Sequence, residues 1–227
     1  MRLRVSRRLA VFIFNNHNIT LRHSSCTVRG NIKPYDKYLL TPDRILDVAE
    51  DVLRRYGPAK ATVVDVARVL KVSHGPIYRH FLSKAALRDA VLEQWLHRVS
   101  RPLAVIAEEN SPAIERLHRW LEQLINLKRQ KVLDDPELFA TYHAIAQEAR
   151  EVVQAHIDEL VGQLAQIIES GISSREFKVA DSHEVASAMF NATVRFHHSE
   201  WRDPDIDTDF AHVWRLLLVG LVHDEDV

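Results

Sequence analysis

The sequence predicts an all-α fold, with a three-helix unit in front and a larger helical bundle behind it. Three observations carry this prediction. Apolar residues recur with a helical period nearly throughout after Pro34. The 227 residues include only 6 Gly and 8 Pro, so turns are few and helices long. No stretch alternates apolar and polar in the manner of a strand, and there is no repeat or low-complexity tract.

The elements follow in order. Residues 1–34 carry seven Lys and Arg and no acid, around a short apolar run, Leu9–Phe14. That run is too brief for a signal peptide and lacks a small-x-small cleavage site, so a disordered basic arm is expected. Thr41 and Pro42 open a helix to about Tyr56, with Ile45, Val48, Ala49, Val52 and Leu53 on one face and Gly57-Pro58 as its stop. A second helix, about Val63–Leu70, is capped by Thr62 with Asp65 reaching back. A third, about His74–Phe81, begins at Ser73, and a fourth runs from Ser83 to about Glu109. Five more are expected at Pro112–Lys131, Pro136–Gln147, Glu151–Ser170, Ser182–Trp201 and Asp207–His223, with Gly171 and Asp203-Pro204 among the breaks. The expected division is an arm over 1–34, a head over 35–82 and a body over 83–227.

The charge is uneven. Residues 35–101 hold 12 Lys and Arg against 8 acids, and the rest of the chain holds 11 against 23. A basic front on a chain of net charge −1 suits contact between that front and a polyanion. The single cysteine, Cys26, excludes an internal disulfide and fits a reducing cytoplasm. No apolar run reaches transmembrane length, so no membrane partner is expected.

The informative stretch is Thr62–Phe81. Two short helices meet at Lys71-Val72-Ser73, with Val66, Ala67, Leu70, Val72, Ile77 and Phe81 as a small core. This is helix-turn-helix geometry, which offers one helix end to a DNA major groove. Tyr78, Arg79, His80 and Lys84 supply donors for phosphates. By spacing alone an ordinary helical hairpin fits equally well.

Thr62 through Leu87 resembles the N-terminal signature of the tetracycline-repressor family of bacterial regulators. Thr62, Val66-Ala67, Val72-Ser73, Tyr78-Arg79-His80-Phe81, Ser83-Lys84 and Leu87 carry the resemblance at fixed spacing, with Gly57 upstream. It implies a repressor that binds a double-stranded DNA operator as a homodimer and is released by a small-molecule effector. It places Thr62, Tyr78, His80 and Lys84 on phosphates, His74, Gly75 and Pro76 against bases, and Val63 and Val64 at the groove edge. His74-Gly75-Pro76 offers little hydrogen bonding beyond the imidazole, so thymine methyls and DNA shape should carry much of the specificity.

Behind the head, two apolar stripes are expected at the dimer seam: Val185, Met189, Phe190, Thr193 and Phe196 on one helix, and Phe210, Val213, Trp214, Leu217 and Leu221 on the next, with Gly220 allowing close approach. Burial within their own domain is the alternative. An effector pocket is expected between the fourth and eighth helices, with Trp95, Trp120, Phe139, Tyr142 and His143 as its lining. No catalytic signature, cofactor motif or metal site is expected. The competing function is a helical-bundle metalloenzyme built on Glu115/His118 and Asp209/His212, each pair on one helix face, with His197-His198 nearby. A helical interaction module is the third reading.

Overall fold

Thr41 opens the first described helix as its residue types dictate. Its hydroxyl accepts the Arg44 N–H at 3.3 Å, and Pro42 occupies a first-turn position where a missing N–H costs nothing. The structure, a computed structural model, describes residues 40–197 and 206–222. All of its helices are α1 (Pro42–Lys60), α2 (Val63–Leu70), α3 (His74–His80), α4 (Lys84–Glu108), α5 (Ala113–Asp134), α6 (Pro136–Glu148), α7 (Arg150–Ser173), α8 (Ser182–His197) and α9 (Ile206–Leu221). The expected arm over 1–34, His198 and the Asp203-Pro204 break lie outside the described residues.

Gly57 does stop the first helix. It sits at φ 73°, ψ 163°, a region other residues rarely enter, and one short turn, Pro58–Lys60, follows. The capping box at α2 is present in both directions. Thr62 Oγ1 accepts the Asp65 N–H at 3.2 Å, and Asp65 Oδ2 accepts the Thr62 N–H at 3.1 Å. Hydrogen bonds from Thr62 lead the effects that hold the Asp65 carboxyl below its usual range. Lys71 takes the left-handed conformation, φ 57°, that turns the chain into α3. Ser73 holds the N-cap position of α3, but its side chain makes no cap bond, although its residue type predicts one.

One boundary is corrected. Gly171 was expected to break a helix, yet α7 runs through it to Ser173, and Arg175 at φ 65° closes the end. Gly171 is there for space: a Cβ would lie 2.1 Å from the Phe177 ring.

Two apolar clusters fill the interior. The first gathers Ile45, Ala49, Val52 and Leu53 of α1, Val66 and Ala67 of α2, Ile77 of α3, Leu87 to Leu96 of α4, and Leu138, Tyr142 and Ile145 of α6. The head is therefore seated on α4 and α6, not packed by itself. The second holds Leu103, Leu117, Trp120, Leu124, Leu164, Ile167, Phe190 and Phe196 from α4, α5, α7 and α8. Helix α4 belongs to both.

The expected dimer stripes are corrected in part. Met189, Phe190, Thr193, Phe196, Phe210 and Leu221 are buried within this protomer, and Val185, Val213, Trp214 and Leu217 pack half-buried on the second cluster. The most apolar face of a helix takes the nearest apolar partner, which here belongs to its own chain. The large apolar side chains left outside on α8 and α9 are Val194, Leu216 and Val219, and Gly220 faces open space.

Candidate functional site

The outer face of the head is built from α3 and the residues flanking α2. His74, Gly75, Tyr78, Arg79 and His80 are exposed, Pro76 is half-buried, and Ile77 alone of α3 is fully interior. That split follows from the helical period: Ile77 anchors one side, and its neighbours stand clear. Tyr78 and His74, one turn apart, meet edge-on with ring centroids 6.1 Å apart. Space around Gly75 is open, with nothing within 4 Å of a built Cβ. α3 carries no acid.

The flanking positions divide. Val64 is 53% exposed, but Val63 is buried in the head core, so its side chain does not reach a groove edge as expected. Adjacent helical residues point apart, and only one can face outward. Thr62 is exposed, with its hydroxyl and N–H both engaged by Asp65. Lys84 is half-buried, and its Nζ donates to the Ala59 carbonyl at 3.4 Å.

A cavity of about 270 Å³ opens behind the head, bounded by α4, α5, α6, α7 and α8. Trp95, Phe139, Tyr142 and His143 line it, four of the five residues expected there. Trp120 does not. It is fully buried in the second cluster, its Nε1 donating to Gln163 Oε1 at 3.1 Å. Trp95 stacks on Tyr142 at 4.5 Å and 18°. Sequence reading missed Lys128, His156 and His197 in the lining, because nothing local separates them from solvent-facing residues.

A polar bridge joins cavity and head. Glu50 of α1, nearly buried, accepts from Arg98 Nη2 of α4 at 2.6 Å, and the same nitrogen reaches Tyr142 Oη of α6 at 3.5 Å. Burial, then the Glu50 charge, pushes the Tyr142 phenol up, so it stays protonated. Arg54 of α1 adds a second tie, donating from Nε to Asp135 Oδ2 at 3.0 Å, while Asp135 caps α6 through the Leu138 N–H at 2.9 Å.

The carboxylate–imidazole pairs do not converge. His118 lies 3.4 Å from Glu122, and Asp209 pairs with Arg195 at 2.9 Å. Among the described residues no group of three or more His, Cys, Asp or Glu is placed to hold a metal. No helix there is long and apolar enough to cross a membrane.

Comparison with known proteins finds two family matches along the chain. The profile of bacterial regulatory proteins of the tetR family matches residues 45–91, and the tetracyclin repressor-like C-terminal domain matches residues 113–214. The chain belongs to the tetracycline-repressor family. An uncharacterized HTH-type transcriptional regulator of Mycobacterium tuberculosis (strain CDC 1551) is 34% identical over 104 residues, 45% of this chain and 49% of that protein. The match thus spans about half of that relative's length. The HTH-type transcriptional regulator TtgR of Pseudomonas putida is 28% identical over 156 residues, 68% of this chain and 67% of TtgR. Among solved structures, SmeT, the repressor of the Stenotrophomonas maltophilia multidrug efflux pump SmeDEF, superposes with a TM-score of 0.60 at 18% identity. It covers 82% of this chain and 93% of its own. This tetracycline-repressor family member thus shares both the head and the helical body of its relatives.

Proposed function

We propose that this chain is a DNA-binding transcriptional regulator, working as a cytoplasmic homodimer and released from its operator by a small molecule. The observation that carries the reading is the joining of two sites by one bridge. The exposed face of α3 stands on a head whose buried Glu50 is held by Arg98, and Arg98 reaches the Tyr142 that walls the cavity. A molecule pressing on the Trp95–Tyr142 stack acts on contacts that seat the head, which is the requirement for linkage between two sites.

In this reading His74, Gly75 and Pro76 face base edges, while Tyr78, Arg79, His80, Lys84 and Thr62 hold phosphates, with Val64 at the groove edge. Thr62 and Lys84 must exchange their internal partners for phosphate, which makes them weaker contributors than Tyr78 and Arg79. Residues 35–82 serve as the reading head and 83–227 as the sensing and pairing body. Pairing uses the outward faces of α8 and α9, where Ala188, Ala192, Leu216 and Val219 are exposed, in place of the interior stripes. Family membership and the likeness to SmeT, which has been solved with triclosan, support a regulator with a small-molecule site. The metalloenzyme alternative loses its support, since His118 and Asp209 have other partners.

The test is a mobility shift with the purified chain on the promoter region beside its own gene. A sequence-selective complex that weakens steeply with salt is expected, and Tyr78→Ala should reduce it. Absence of any selective complex would refute the reading.

A further inference from the structure

The cavity behind the head holds polar atoms that nothing among the described residues answers. His156 of α7 is 7% exposed, and neither Nδ1 nor Nε2 has a hydrogen-bond partner. Buried imidazole nitrogens are normally paired, so an open donor and an open acceptor at a cavity wall point to a missing partner. Lys128 of α5 lines the same cavity, its Nζ 5.7 Å from the centroid of the Trp95 ring. Among the described residues no Asp or Glu lines this cavity. Burial lowers the Lys128 ammonium to about 8, and no neighbouring carboxylate raises it. It remains a cation at neutral pH, against the face of an aromatic ring and without a counter-charge in the cavity.

Lys128 is the foremost neighbour that disfavours a charged His156. Burial first, and then Lys128, His197 and His97, push its imidazole down to about 3, so it is neutral and offers one N–H and one lone pair. A second cleft, of about 330 Å³, shares Leu96 and His156 with the cavity and carries Glu93, Glu151 and Glu159. None of these glutamates is among the groups that shift His156. Lys128 is the one Lys or Arg among the described residues that line the cavity. Tyr142, His143 and His197 add polar tips, and the rest of the wall is apolar, with Trp95, Phe139 and Phe190 contributing aromatic faces.

We propose that this cavity takes a compact, apolar organic acid, its anionic head at Lys128 and His156 and its ring or branched body among Trp95, Phe139 and Phe190. This rests on the reading of the cavity as the effector site and adds the chemical class. An anion supplies what Lys128 lacks, and a carboxylate oxygen accepts the open His156 N–H. About 270 Å³ lies at the small end of ligand cavities and suits one or two rings better than a long acyl chain.

The experiment is calorimetric titration of the full chain with three isosteric probes: naphthalene-2-carboxylate, its neutral carboxamide and 2-naphthylmethylamine. The carboxylate should bind roughly tenfold to a hundredfold more tightly than the carboxamide, with the amine weakest. Lys128→Met should bring the carboxylate down to the carboxamide while leaving carboxamide binding in place, which also reports that the variant is folded. Lys128→Arg should keep the preference, and His156→Leu should reduce it. The proposal is overturned if the carboxamide or the amine binds as tightly as the carboxylate, if no carboxylate binding is seen, or if Lys128→Met leaves the preference intact. A Lys128-dependent preference in a chain that binds no DNA would uphold this proposal and overturn the regulator reading. Selective DNA binding without such a preference would do the reverse.

Discussion

Arg98 is the residue whose removal most directly tests how the head is seated. The Glu50 side chain is 12% exposed and has two cationic partners, Arg98 at 2.6 Å and Arg54 at 3.7 Å. Arg54 is 42% exposed and already shared with Asp51 at 2.9 Å and Asp135 at 3.0 Å. Arg98→Met keeps most of the aliphatic stem but leaves Glu50 to the longer, divided contact. Breaking a fully buried pair costs about 3–5 kcal/mol. Arg98 is itself 40% exposed, and Arg54 remains, so about 2 kcal/mol is the expected loss. For a chain of this size that corresponds to a drop in Tm of roughly 4–8 °C. Glu50→Gln in the Arg98→Met background should recover about 1 kcal/mol, because the uncompensated carboxylate is then gone. Urea unfolding followed by circular dichroism at fixed protein concentration measures Arg98→Met, Glu50→Gln and the double variant. If the two substitutions add within about 0.5 kcal/mol, the charges are not coupled and the bridge does not seat the head.

Three further outcomes follow from other parts of the molecule. Gly75→Ala should raise stability by about 0.5–1 kcal/mol, since a methyl meets open space on a helix, yet weaken operator binding if the face of α3 is the reader; equal or tighter DNA binding would count against that face. Gly171→Ala should destabilise by about 1–3 kcal/mol through collision with the Phe177 ring, and Phe177→Leu in that background should recover part of it; an unchanged urea midpoint would refute the packing argument. His156 supplies a pH signature: as pH falls from 6.5 toward 3 the unfolded chain binds a proton that the folded one refuses, so stability declines by up to about 1.4 kcal/mol per pH unit and is fully retained above 6.5. His156→Leu should flatten that slope between pH 7.5 and 5.5, and identical slopes in the two proteins would show that His156 is not held neutral.

What could be read from the chain was governed by distance along it. The capping box of Thr62 and Asp65, the turn at Lys71 and the outward set on α3 depend on neighbours within a few residues, and all were legible. Gly171 was misread because its reason is Phe177, which the chain brings back against it. Trp95 and Trp120 look alike in sequence, large and apolar on helix faces. Only packing decides that one walls the cavity and the other donates to Gln163. Val63 and Val64 differ by a single helical step, about a quarter turn, and that step separates core from surface. The α8 and α9 stripes were read as a dimer seam, because apolarity does not say whether the covering surface comes from the same chain. Lys128 and His156 were invisible, since a charged residue on a helix ordinarily faces water.

Leu92, Trp95 and Tyr142 serve two structures at once, the packing beneath the head and the wall of the cavity. Chemical sensitivity and mechanical firmness are thus written into the same side chains. A substitution that retunes which molecule fits also alters how tightly the reading head is gripped. Divergence toward a new inducer is thereby confined to sequences that still hold the head in place.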